Sequence, residues 1–261
     1  MSALYGDSVL YHTADGVAWI TLNRPSARNR LDLPMTTALR RACQLVMQDD
    51  EVRAAVLTGT PDVFCDGDDS DVPPAGGPEE RQAYLESRRA AAFLGAVEKP
   101  VAALLNGDAI DHGLELALAC DFRLAAAGAR FGMTQVTRGA IPWDGGTQRL
   151  PRAVGRAWAA DLLLTGRLID AQEALDIGLV HEVHPADRLT ERGEQLARSL
   201  AALAPIAARY AKESVLKGMD MTLEQGMRLE MDMNLILQTT LDRAEGIASF
   251  LERREPKFTG E

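Results

Sequence analysis

The stretch VAALLNGDAIDHGLELALACDFRLAAAG, residues 101–128, decides how the chain folds. It opens on a short apolar run and a Gly-containing turn. An apolar run with helical spacing follows, and then a second short apolar run that ends at Gly128. Short apolar runs bounded by turns read as strands covered on both faces, and the longer run between them as a buried helix. A turn that feeds a helix usually stays bare, so that its backbone amides can reach a ligand. Here the turn carries Asp111 and His112, with Glu115 three residues further on.

The same alternation extends outward. Upstream, SVLYHTADGVAWITLNRP (residues 8–25) alternates around Asp15-Gly16 and reads as a β-hairpin. MTTALRRACQLVMQDD (35–50) has helical spacing, and VRAAVLTG (52–59) is a buried strand. An irregular loop, TPDVFCDGDDSDVPPAGGP (60–78), precedes one charged helix expected over 79–97. From about Pro205 the pattern is helical only. The reading is an α/β core over residues 1–200 and a helical region over 201–261, expected to pack on a partner subunit.

Composition narrows the partners. The 261 residues are 46% apolar, enough for a sizeable core, and 28 Lys+Arg against 38 Asp+Glu give a formal charge of −10. That balance argues against nucleic acid or an anionic membrane surface, both of which need a basic patch. It also slows an anionic substrate unless the basic residues cluster locally. Cys43, Cys65 and Cys120 lie far apart with no C-x-x-C pair, as expected of reduced, buried thiols. Without a signal-like N-terminus or a long apolar run, the expectation is a soluble cytoplasmic protein.

Glu115, at the start of an otherwise apolar helix, reads either as a dipole-complementing surface residue or as a proton shuttle beside exposed amides. The acidic loop around Asp66, Asp68, Asp69 and Asp71 fails the calcium-loop pattern. Counted from Asp66, the sixth and twelfth positions hold Asp71 and Gly77 instead of Gly and Glu. Asp144, in a turn that feeds a helix at Thr147, reads as an N-terminal helix residue. His12, His181 and His184 receive no role, and His181-x-x-His184 has no third metal ligand in view.

LNRPSARNRL, VFCDGDD, KPVAALLNGDAIDHGLELALACDFRLAAAGARFG, IPWDGGTQRLPRAVG, LLLTGRLIDAQEALDIGLVHEV and FLERREPKFTG, in this order, resemble the enoyl-CoA hydratase/isomerase (crotonase) superfamily over nearly the whole chain. The resemblance implies an α/β crotonase-like spiral of ββα units with a C-terminal helical region that assembles trimers, often paired into hexamers. It implies an acyl-CoA substrate of the kind met in fatty acid metabolism, no metal, and no cofactor beyond coenzyme A as part of the substrate. The thioester oxygen would lie between the backbone amides of Asp68 and His112, and an enolate would be the intermediate. Ser26, Ala27, Arg28 and Asp66 would border the CoA moiety, with Lys257 and Phe258 of a neighbouring tail near its adenine.

Glu115 falls on the family's first catalytic glutamate, whereas Gln135 stands where hydratases carry the second. Glutamine can position water but cannot exchange a proton, so hydration would be atypical while isomerisation can run on Glu115 alone. Asp111-His112 replaces the family's usual Gly-Gly, and a positive φ at His112 would be strained. Asp144 replaces a small residue. His112 and Asp144 resemble positions of a histidine and an aspartate in relatives that cleave carbon–carbon bonds of β-diketones. Three readings therefore stand: an enoyl-CoA hydratase or isomerase with an atypical site, a retro-Claisen hydrolase using His112 and Asp144, and a catalytically weak acyl-CoA binder. Asp66, Asp68 and Asp69 are expected to turn outward, because an inward carboxylate would oppose an enolate.

Overall fold

The structure is a computed structural model that describes residues 2–4, 7–69 and 76–261. Positions 70–75 of the acidic loop, Asp71 among them, lie outside the described residues. The chain begins with strands β1 (Ser2–Leu4), β2 (Val9–Ala14) and β3 (Val17–Leu22). The β2–β3 hairpin turns at Asp15 and Gly16, with φ of 52° and 74°. Two positive φ values in a two-residue loop match the right-handed twist of the strands it joins. Helix α1 (Leu33–Gln48) starts where the Asp32 side chain accepts from the Met35 amide, and it buries Met35, Leu39, Ala42 and Val46 along one stripe.

The body is a three-fold repetition of strand, strand, helix. The first turn is β4 (Ala54–Gly59), β5 (Val63–Asp66), α2 (Pro78–Ser87) and α3 (Ala90–Gly95). The second is β6 (Val101–Leu105), β7 (Asp108–Ile110) and α4 (His112–Ala119). The third is β8 (Phe122–Ala126), β9 (Arg130–Gly132) and α5 (Gly146–Thr165). Next come β10 (Ile169–Asp170), α6 (Ala171–Asp176), β11 (Glu182–His184), α7 (Ala186–Ala201), α8 (Pro205–Gly218), α9 (Leu223–Leu237) and α10 (Leu241–Glu252).

The first strand of each turn enters a seven-stranded sheet ordered β1-β2-β3-β4-β6-β8-β11; the second enters a four-stranded sheet ordered β10-β9-β7-β5. Pairs β4–β6, β6–β8, β5–β7 and β7–β9 are all parallel. Because each turn visits both sheets in the same sense, the chain advances as a spiral, the architecture expected of the crotonase fold. Its core is built on apolar side chains, among which Leu57, Phe64, Leu105, Leu114 and Phe131 are fully buried. The spiral brings the ends of β5 and β7 together, and with them the loops that follow.

The single charged helix expected over 79–97 is two helices, α2 and α3, broken at Arg88-Arg89. Arg88 turns inward, its guanidinium donating to the Leu31 carbonyl and to the Tyr84 hydroxyl. A buried guanidinium must find such acceptors, and reaching them ends the helix. The tail is pinned to the core by Lys212, whose Nζ donates to Asp121 Oδ2 at 2.7 Å and to the Lys99 carbonyl at 3.0 Å. Along α9 and α10, Leu223, Met227, Met231, Phe250 and Leu251 are exposed. No helix among the described residues is long and apolar enough to cross a membrane.

Candidate active site

Glu115 sits in the first turn of α4, yet it is fully buried, which removes the reading of a surface residue complementing the helix dipole. Its Oε1 accepts the amides of Asp144 at 2.8 Å and Gly146 at 2.7 Å, while Oε2 is buried without a hydrogen-bond partner. Burial pushes its carboxyl above the usual glutamate range; His112 and the two amides pull the other way. One oxygen is anchored and the other is left for chemistry. A carboxyl with a raised pKa can take and return a proton near neutral pH.

His112, the first residue of α4, is also fully buried. Its Nδ1 lies 3.0 Å from Asp68 Oδ1 and its Nε2 lies 3.0 Å from Asp144 Oδ2. The Trp143 ring meets it edge-on, centroids 4.7 Å apart. Both ring nitrogens are thus occupied by carboxylates. Burial alone would lower its pKa, but the hydrogen bonds to Asp144 and Asp68 outweigh burial and raise it to about 10.

Two placements correct the expectations. Asp66 and Asp69 do pair away from His112, Asp66 with Arg28 and Arg30 and Asp69 with Arg24. Asp68 instead turns inward to His112, with an Arg88 nitrogen 3.6 Å from the same oxygen. A buried cation draws in a counter-charge, and Asp68 is the carboxylate within reach. Its charge is thereby matched by His112 and Arg88, which removes the opposition to an enolate anticipated for an unpaired inward carboxylate. Asp144 does not start α5, whose N-cap is Gly145. Its carboxylate crosses to the start of α3, where Oδ2 accepts the Ala91 amide at 2.6 Å and Oδ1 the Ala92 amide at 3.2 Å. Orphan amides at a helix start are the natural partners of a buried carboxylate.

The strain expected at His112 falls one residue earlier. Asp111 has φ 52° and ψ −118°, a region glycine prefers. Its carboxylate is tied to the Thr134 hydroxyl and to Arg138 at 2.8 Å, and its amide donates to the Gly132 carbonyl. Such a conformation costs about 1–3 kcal/mol and persists where the surroundings over-determine it. Among the described residues, neither the Asp68 amide nor the His112 amide donates to a protein acceptor. Two unoccupied amides at adjoining loop ends suit an oxygen that becomes negative. Gln135 is buried, and its Oε1 has no hydrogen-bond partner.

Ser26 and Ala27 lie in a single 3-10 turn, Pro25–Ala27, that ends on Arg28 with φ 53°. Arg28 pairs with Asp66 and with Asp108, Arg30 with Asp66, and Arg130 with Asp108. Three guanidiniums on two carboxylates make a local excess of positive charge on an acidic chain. Arg30 and Arg130 escape a sequence reading because they are 100 residues apart and are linked through Asp66, Arg28 and Asp108. Lys257 and Phe258 lie against their own chain: the Lys257 amide donates to Glu245, and the Phe258 carbonyl accepts from Arg53. His12 stacks on Trp19, the His181 ring accepts from the Arg123 amide, and His184 pairs with Glu182.

The family model described as enoyl-CoA hydratase/isomerase matches residues 12–261. The chain is 39% identical to the (E)-benzylidenesuccinyl-CoA hydratase of Thauera aromatica, over 97% of this chain and 99% of that one. It is 37% identical to the 2,3-dehydroadipyl-CoA hydratase of Escherichia coli (strain K12), over 94% and 95% of the two chains. The crystal structure of an enoyl-CoA hydratase from Bacillus anthracis matches with a TM-score of 0.93 at 36% identity, covering 97% of this chain and 100% of that one. Fold and sequence therefore converge, and the chain belongs to the enoyl-CoA hydratase/isomerase family.

Proposed function

We propose that this enzyme acts on an enoyl-CoA thioester through an enolate, with Glu115 as its one acid/base group and the Asp68 and His112 amides as the oxyanion hole. The observation that carries the reading is the pair of Glu115 oxygens, Oε1 held by two amides and Oε2 buried without a partner. Two preorganised donors on the thioester oxygen supply about 3 kcal/mol each to the enolate-forming step. The arginines around Asp66 and Asp108 favour the phosphates of CoA over any neutral thioester carrier. The relatives named as enoyl-CoA-type hydratases support the same substrate class.

The deciding experiment incubates 2-enoyl- and 3-enoyl-CoA esters with the protein in heavy water and follows product masses. Deuterium uptake at carbon, with or without a water adduct, supports the enolate; inert esters of both kinds sink it and leave the acyl-CoA binder. Gln135 should set the balance between the two outcomes. Its orphaned Oε1 can hold water but not deprotonate it, so exchange or isomerisation should outrun hydration. Gln135→Glu should raise the ratio of hydration to exchange by about tenfold or more. An unchanged ratio would remove Gln135 from the water site.

The retro-Claisen reading draws on the 3.0 Å contact between His112 and Asp144. It loses support at the other nitrogen, because a ring held by carboxylates on both sides has no lone pair with which to deprotonate water. Asp144 is equally poor as a nucleophile, since both its oxygens are hydrogen-bonded. The exposed apolar side chains of α9 and α10 favour a homotrimer, alone or paired as a hexamer, in which those helices are covered.

A further inference from the structure

Each part of the proposed machinery lies on a different loop. Asp68 follows β5, His112 opens α4, and the amides that hold Glu115 belong to Asp144 and Gly146, where the turn enters α5. One side chain touches all three places. The His112 ring bridges Asp68 and Asp144 at 3.0 Å on each side, and its own backbone is the second oxyanion amide. Asp144 then extends the link to the start of α3 through the Ala91 amide. Two ring nitrogens facing two carboxylate oxygens must both donate, which only an imidazolium can do.

We propose that His112 is a positioning residue held as a permanent imidazolium, a cationic clasp that sets the two oxyanion amides and the Glu115 turn at fixed distances from one another. The inference rests on the enolate reading for its kinetic consequence but not for its charge state. The ring offers substrate no nitrogen, because both are taken by carboxylates. The charged groups facing it are Asp68 with Arg88 behind it, Asp144 with Arg89 at 3.4 Å, and Glu115 from its own helix. A cation held between two anions is harder to shift than a neutral donor and acceptor, because charge-assisted bonds are about twice as strong. The clasp also explains the inward turn of Asp68 and the departure of this turn from bare glycine.

The sign of its pH dependence follows. The folded ring holds its proton up to about pH 10 against an ordinary 6.5, so the clasp's contribution to stability is complete below about pH 6.5 and is lost as pH rises through about 10.

The test is direct and needs no substrate. Nitrogen-15 NMR of protein labelled at histidine, with the His112 signals assigned by their loss in His112→Gln, reads both ring nitrogens. The expected result is a doubly protonated His112 from pH 6 to 9, while His12 and His181, lowered by burial, are neutral at pH 7.5. A neutral His112 ring at pH 7.5 overturns the clasp whatever the enzyme turns over. If His112→Gln does not fold, Asp68→Asn serves for both assignment and kinetics. It should bring His112 deprotonation toward neutral pH. It should also cut kcat for deuterium exchange by about 10- to 100-fold, with KM changed less than about threefold, and move the alkaline limb of kcat down with the ring. An Asp68→Asn enzyme with wild-type kcat and an unmoved alkaline limb would overturn the positioning role. Inert enoyl-CoA esters with a doubly protonated ring would instead sink the enolate reading and leave the clasp standing.

Discussion

Replacing Glu115 by Gln is expected to lower deuterium exchange into an enoyl-CoA ester by about 1,000-fold, with KM within about threefold of the parent. The prediction separates chemistry from architecture. A glutamine carbonyl can occupy the place of Oε1 and still accept the amides of Asp144 and Gly146. Its NH₂ then stands where Oε2 stood, unable to take or return a proton. General acid/base groups contribute 10²–10⁴-fold, and the expected loss at Glu115 is set at the middle of that range. Folding should not suffer, because a neutral amide is cheaper to bury than a carboxylate. The parent enzyme should also show an acidic limb above the ordinary glutamate value of 4.5, since burial raises this carboxyl and only its ionised form abstracts a proton. A loss smaller than about tenfold in the Gln variant would move the acid/base role elsewhere.

The largest stability effect is expected at Gly113, the residue after His112. A Cβ built there would lie 2.1 Å from the Cys65 carbonyl oxygen and 2.8 Å from its carbon. Those are backbone atoms of β5, so relief requires α4 and β5 to move apart. Gly113→Ala should therefore cost about 3 kcal/mol, the upper end of overpacking, and lower Tm by roughly 6–12 °C for a chain of this size. Gly128→Ala is the control, because nothing lies within 4 Å of a Cβ there. A thermal melt of the two variants decides the matter, and equal melting temperatures would show that the strand and helix can separate freely. Activity should fall with stability in Gly113→Ala, since β5 leads into Asp68 and α4 carries Glu115.

Taken together, these sites show which residues can vary in such a turn. Asp111 carries the positive φ and is held by Thr134 and Arg138. His112 fills its position with a ring that is paired on both sides. Gly113 alone has no room for even a methyl group. Replacement of the bare turn thus stops where backbone meets backbone.

The alternation of strands and helices was legible in the sequence because its signals are local, whereas the spiral was implied by the family resemblance of the ordered motifs. Short apolar runs, Asp15-Gly16 between alternating strands and the helical spacing of residues 35–50 each act over a few residues. Each acts through periodicity or turn chemistry that needs no knowledge of the rest of the chain. The place of Glu115 at a helix start was legible for the same reason, since it follows a Gly-containing turn. The tertiary structure decided the remainder. Arg88-Arg89 breaks a helix that composition would continue, because Arg88 finds its acceptors at Leu31 and Tyr84. Asp144 belongs by sequence to the start of α5 but caps α3. Asp68 faces inward where repulsion alone would turn it out, because a buried imidazole 44 residues away supplies the opposite charge. Sequence patterns record where a side chain sits along its own element; the partner of a buried charge depends on which loops the spiral brings within about 3 Å of one another, and that is a property of the folded chain alone.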